Sequence, residues 1–156
     1  MTKSDDLTSR LQRLEDLEAI RNLIASYGPL ADSGDAQGLA RLWAEDGEYA
    51  VGGFGTARGH AEIAALIEGE VHQQLMAGGC AHVLSPHRVM LDGVRAEATG
   101  YSVVFRKAGD SHEAWRVSAN RWLLERTGAG WWVKRRENAP LDGTEGARSL
   151  LVSGSD

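Results

Sequence analysis

Asp32 and His82 are the residues whose types could do chemistry together. Asp32 lies in Ala31-Asp32-Ser33-Gly34-Asp35, and His82 opens His82-Val83-Leu84-Ser85-Pro86. A carboxylate that orients an imidazole makes a general base at neutral pH. Burial lowers a histidine pKa and a neighbouring aspartate raises it, so the two influences oppose each other. Asp35 stands directly before the Leu39–Trp43 stretch and is the better helix cap, which leaves Asp32 free for a pocket. Tyr27 and Tyr49 are hydroxyl donors that could stabilise a developing oxyanion, or core residues with the hydroxyl at a rim. Alternation along residues 113–126 puts Arg116, Ser118, Asn120, Trp122 and Leu124 on one side of a strand. Trp115, Val117, Ala119, Arg121 and Leu123 take the other side. The first set mixes polar donors with an aromatic, which places Asn120 and Trp122 in the pocket; a single bulge would reverse this. Trp43 and Phe54 complete the aromatic candidates for a substrate-binding lining, unless the tryptophans simply build the core.

Other chemistries find less support. The histidines are His60, His72, His82, His87 and His112, and no pair has the spacing of helical metal ligands, so no metal is expected. His87 should point to the opposite face from His82 on a regular strand. The single cysteine, Cys80, has no evident base beside it and reads as structural. Gly52-Gly53-Phe54-Gly55 resembles a phosphate loop only superficially, because no lysine follows it. No dinucleotide fingerprint occurs, and no organic cofactor is expected. The formal net charge of −5 argues against nucleic acid as a partner. Lys134-Arg135-Arg136, the one dense basic run, reads as a solvated strand edge. No apolar run approaches a membrane span and no signal segment is evident, so a cytoplasmic protein is the default.

The elements that must position these residues fall into two halves. Leu7, Leu11, Leu14, Leu17, Ile20, Leu23, Ile24 and Tyr27 recur at helical spacing. Gly28-Pro29 predicts a kink, or a break and short turn reaching Asp32. A second short helix follows with Leu39, Leu42 and Trp43 on its buried side, then a short strand at residues 48–51. Residues 60–76 have helical spacing. Residues 81–91, 94–107, 113–126 and 131–138 read as strands of an antiparallel meander, with Asp92-Gly93 the strongest hairpin signal. Residues 142–152 read as a short closing helix. The layout is α+β: helices packed on a strongly curved antiparallel sheet whose concave face holds a pocket. The 156 residues fit a single domain, with a core at 10–140 and a tail at 141–156.

Several of these motifs together resemble a SnoaL-like domain of the nuclear transport factor 2-like superfamily. They are the Leu14-Glu15-Asp16 to Ala19-Ile20 helix, Tyr27, Asp32 to Asp35, Leu42-Trp43 and Gly59-His60 with Ile63. His82, the Leu91-Asp92-Gly93 turn and Gly130-Trp131-Trp132-Val133 complete the set. The resemblance implies a cone-shaped α+β barrel. Members such as scytalone dehydratase and hexachlorocyclohexane dehydrochlorinase use an aspartate–histidine pair, which falls by motif on Asp32 and His82. Pro86 stands near a position where the usual pattern carries asparagine. The resemblance implies a cofactor-independent lyase or isomerase acting on a small apolar cyclic or aromatic substrate. Elimination would be dehydratase-like or of retro-aldol type. His82 would be the base, Asp32 would orient it, and Tyr27, Tyr49 and Asn120 would polarise oxygen. A polyketide-type cyclase would use the same parts. A different class remains open: a non-catalytic ligand-binding or assembly domain, such as an oxygenase accessory subunit, because this fold hosts many functions. A homodimer or homotrimer is the expected assembly.

Overall fold

The computed structural model describes residues 3–152. Helix α1 (Lys3–Asp32) carries Pro29 inside it and runs through the predicted break. Pro29 forfeits one hydrogen bond near the end of the helix, where burial of Tyr27 and Ala31 offsets the loss. The helix closes on Gly34 at φ 74°, with the Asp35 N–H donating to the Leu30 carbonyl and the Gly34 N–H to that of Ala31. Ile20, Ile24, Tyr27 and Ala31 form its buried stripe. Leu7, Leu11 and Leu14 continue the spacing but are exposed.

Helix α2 (Ala36–Ala40) is capped by Asp35, whose Oδ1 accepts from the Gly38 N–H at 2.7 Å. Trp43 belongs to strand β1 (Trp43–Val51) rather than to the preceding helix. Strand β2 (Gly55–Arg58) pairs with β1. The helical region after it divides at Gly69 into α3 (Gly59–Glu68) and α4 (Glu70–Gly78). The predicted strand at 81–91 is two strands, β3 (Cys80–Leu84) and β4 (Arg88–Asp92), since Pro86 interrupts the ladder between them. Both pair with β5 (Arg95–Ala108). Strands β6 (Ser111–Thr127) and β7 (Gly130–Pro140) follow as hairpins, and α5 (Glu145–Ser149) closes the described chain.

The sheet order is β2-β1-β7-β6-β5-β3, with β4 also on β5. The sheet is mixed rather than wholly antiparallel, because β1 lies parallel to β7. That pairing brings the helical half of the chain against the last strand and curls the sheet around α1. The result is the α+β cone expected, open rather than closed. Two bulges matter for the interior. Trp115 is an extra residue of β6 between the pairs Val104–Arg116 and Phe105–Ala114. Lys134 is an extra residue of β7 between Leu124–Val133 and Leu123–Arg135. Each shifts the alternation of its strand by one residue. No helix among the described residues is long and apolar enough to cross a membrane.

Candidate active site

Asp32 and His82 meet at the junction of α1 and β3. The contact depends on Gly28: a Cβ there would lie 2.2 Å from the His82 carbonyl oxygen, so only glycine lets the strand approach this closely. Asp32 Oδ2 accepts from the His82 backbone N–H at 2.8 Å, and Oδ1 lies 2.6 Å from His82 Nδ1. A carboxylate only accepts, so Nδ1 carries the proton and Nε2 is left with a lone pair. The two contacts fix both the ring and its tautomer. Burial pushes the His82 pKa below the usual imidazole value; the Asp32 hydrogen bond and charge oppose this, while His72 and Arg136 add to it. The ring is therefore neutral, and basic, at pH 7.

Cys80 donates weakly to Asp32 Oδ1 at 3.6 Å, and burial with the Asp32 charge pushes the thiol up to about 11. Asp32, Cys80 and His82 bring their donor atoms within 4.8 Å of one another. They do not fit an ion in this arrangement. Ligands on one tetrahedral metal sit about 3.3 Å apart, whereas the carboxylate and imidazole are at hydrogen-bond distance, 2.6 Å.

His82 lines a cavity that encloses about 780 Å³ of empty space, its open mouth included. Leu66, Ile67, Val71 and Leu75 of the helices face Leu84, Val103 and Val104 of the sheet across it. Tyr27 and Tyr49 line its inner end, their hydroxyls 3.4 Å apart. Burial raises the Tyr49 pKa, so its phenol stays protonated. Phe54, more than half exposed, stands at the edge with the Arg116 guanidinium 5.4 Å from its ring centre.

The remaining candidates lie deeper. Asn120, Trp43 and Trp122 are fully buried and are not on the cavity wall. The inward face of β6 is as expected, but its Asn120–Trp122 portion is covered by other side chains. Trp43 stacks on Tyr49 at 5.4 Å, and Trp122 lies 6.1 Å from Tyr27, edge on. Trp122 Nε1–H donates to His87 Nε2 at 3.1 Å, which makes Nδ1 the donor to the Ser85 carbonyl at 2.7 Å. His87 thus points inward like His82, because the break at Pro86 resets the alternation. Its pKa is lowered to about 4, chiefly by burial.

Sequence reasoning missed His72 and Arg136, and put Arg116 on the inward face of its strand without naming it as a site residue; all three are on the cavity wall. His72 Nε2–H donates to the Ala31 carbonyl at 2.7 Å, and its ring centre is 5.3 Å from that of His82. Its spacing from Leu75 on the apolar side of α4 was the available signal. Arg136 is 1% exposed and is no solvated edge. Counting in twos from Trp131 and Val133 would point Arg135 inward; the Lys134 bulge puts Arg136 there instead. Arg135 and Lys134 instead pair outside with Glu48 and Asp46. The Arg136 guanidinium packs 4.0 Å from the ring centre of Tyr27, 4.2 Å from Trp122 and 4.7 Å from Tyr49. Its Nε and Nη2 donate to Asn120 Oδ1 at 3.1 and 2.8 Å. Asn120 Nδ2 then donates to Ser102 Oγ at 2.8 Å. Asn138 Nδ2 donates to Asn120 Oδ1, and its Oδ1 accepts from Arg116 Nη2 at 2.9 Å. This chain of bonds connects the two arginines under the cavity.

The comparisons agree with this architecture. A SnoaL-like domain model matches residues 12–137. An NTF2-like protein with a cystatin-like fold from Novosphingobium aromaticivorans is 57% identical, with a TM-score of 0.95 over 98% of this chain and 99% of that one. ActVI-ORFA from Streptomyces coelicolor is 20% identical, with a TM-score of 0.71 over 81% of this chain and 98% of that one, and shares the fold. Comparison with curated proteins finds no match. With its helices closing a curved sheet over an internal cavity, and with the domain model spanning most of its length, the chain belongs to the SnoaL-like family of the nuclear transport factor 2-like superfamily.

Proposed function

We propose that the protein is a cofactor-independent lyase or isomerase in which His82 removes a proton from a small cyclic or aromatic substrate. The observation that carries this reading is the 2.6 Å contact between Asp32 Oδ1 and His82 Nδ1 on a ring that lines the cavity. Nε2 takes the proton from carbon. The electron pair of that C–H bond forms the new double bond as the bond to the leaving group breaks, or is held on a neighbouring carbonyl oxygen as an enolate. Tyr27 and Tyr49 donate to that oxygen. Asp32 stabilises the imidazolium that results, and the proton then passes to the departing group or back to carbon. A cyclase would differ only in the fate of the carbanion.

Deuterium exchange tests the step without knowledge of the natural substrate. In D2O the wild type should speed exchange next to the carbonyl of β-tetralone, followed by NMR, and His82→Ala should lose that acceleration while melting like the wild type. Equal exchange by the two proteins would sink the base assignment. A ligand-binding or assembly domain would show no acceleration in either.

A further inference from the structure

Arg136 is a buried cation without a counter-charge. None of the described ion pairs includes Arg136 or Arg116, and the cavity wall holds no aspartate or glutamate. Asp32 is the nearest carboxylate to the base, and both of its oxygens are engaged by His82. Arg136 has a neutral amide oxygen and aromatic faces for company, and its Nη1 has no hydrogen-bond partner. A guanidinium taken out of water is costly unless an anion meets it. Arg116 presents a second guanidinium on the same wall, held by the Gly52 carbonyl at 2.6 Å and by Asn138. Its pKa is lowered, first by burial, with Arg136 repelling it. Beside the mouth, a groove that shares Val71, Leu75 and Trp115 with the cavity is lined by Lys107 and by Arg106, whose charge Glu113 meets at 2.6 Å. This concentration of positive charge occurs on a chain whose formal net charge is −5.

We propose that the substrate carries a carboxylate, bound by Arg136 and Arg116, on the ring whose proton His82 removes. The inference rests on the base reading above for the second half of that sentence only. A carboxylate accepts two parallel N–H bonds from one guanidinium, so it would fix the ring's orientation as well as supply the missing charge. The apolar walls around Leu66, Val71 and Val104 would then cover the ring. Substrates with the same ring but no charge would bind weakly, which narrows the expected class from apolar molecules to aromatic or alicyclic acids.

Calorimetric titration with benzoate and with its uncharged analogue benzamide tests this. The wild type should bind benzoate at least about tenfold more tightly than benzamide. Arg116→Gln should bring the two affinities together, and Arg136→Gln should do so if its circular dichroism spectrum matches the wild type. His82→Ala should keep the preference for benzoate, whatever happens to proton abstraction. Equal binding of the two probes by the wild type, absence of benzoate binding at millimolar concentration, or an undiminished preference in Arg116→Gln would overturn the proposal. A benzoate preference without His82-dependent exchange on 6-carboxy-2-tetralone, a ring ketone that carries the carboxylate, would overturn the base reading and leave the anion site standing. The reverse pattern would do the opposite.

Discussion

At the scale of single residues, Asp32 cannot be replaced by its amide without penalty. It accepts from both the His82 ring and the His82 backbone N–H. Asparagine has one accepting oxygen and one donating nitrogen, so one of those contacts must turn donor to donor or the imidazole must change tautomer. Asp32→Asn should lower the His82 pKa further, since the charge that raises it is gone. Proton abstraction should fall about 10²–10⁴-fold. NMR titration of His82 in the two proteins measures the first effect, and identical titration would show that the residues are uncoupled. The neutral ring is the active form, so activity should fall as pH drops through the His82 pKa. That limb should lie below about 6.5, the ordinary imidazole value, because burial wins over Asp32. Tyr27→Phe should cost about a hundredfold in turnover and leave the titration of His82 in place. A parallel shift in that titration would mean that Tyr27 acts by packing rather than as a donor.

At the scale of elements, the dyad is a contact between one helix end and one strand start. Gly28 sets their separation. Alanine in place of glycine favours a helix by about 1 kcal/mol. Against this, a Cβ at 2.2 Å from a backbone carbonyl cannot be accommodated by a side-chain rotation. Overpacking of this kind costs about 1–3 kcal/mol, so the clash should win. Gly28→Ala should therefore melt lower than the wild type and lose proton abstraction together, as β3 moves off α1. A variant of unchanged melting temperature and activity would show that the junction is more pliable than its geometry suggests. The bulges at Trp115 and Lys134 act at this same scale. The Lys134 bulge turns Arg136 toward the cavity where counting from Val133 would put Arg135, whereas the Trp115 bulge leaves Arg116 on the face it shares with Ser118 and Asn120.

For the whole molecule, the interior is built for neutral imidazoles. His87 is buried against Trp122 and its pKa is about 4, against about 6.5 when exposed. The unfolded chain therefore binds this proton more readily than the folded one. Stability is complete above about pH 6.5 and is lost as pH falls toward 4, by about 3 kcal/mol for this one group. His82 adds loss in the same direction. Urea unfolding at pH 7 and at pH 4.5 should reveal the difference. His87→Gln keeps an acceptor for Trp122 and removes the titration, so it should flatten the dependence. An equally steep loss in that variant would place the acid sensitivity elsewhere.

The sequence by itself determined what neighbours along the chain decide. Helical spacing from Ile20 to Tyr27, the Asp35 cap and the glycine-marked hairpins all follow from local backbone preference, and they yielded the α+β layout. The pairing of Asp32 with His82 was legible through motif resemblance. Tertiary structure alone decided the rest. Parallel pairing of β1 with β7 and the continuation of α1 through Pro29 depend on contacts far apart in sequence. So do the burial of Asn120, Trp43 and Trp122 below the cavity and the entry of His72 and Arg136 into its wall. Period-two alternation fails at a bulge, and only the partner strand determines where a bulge falls.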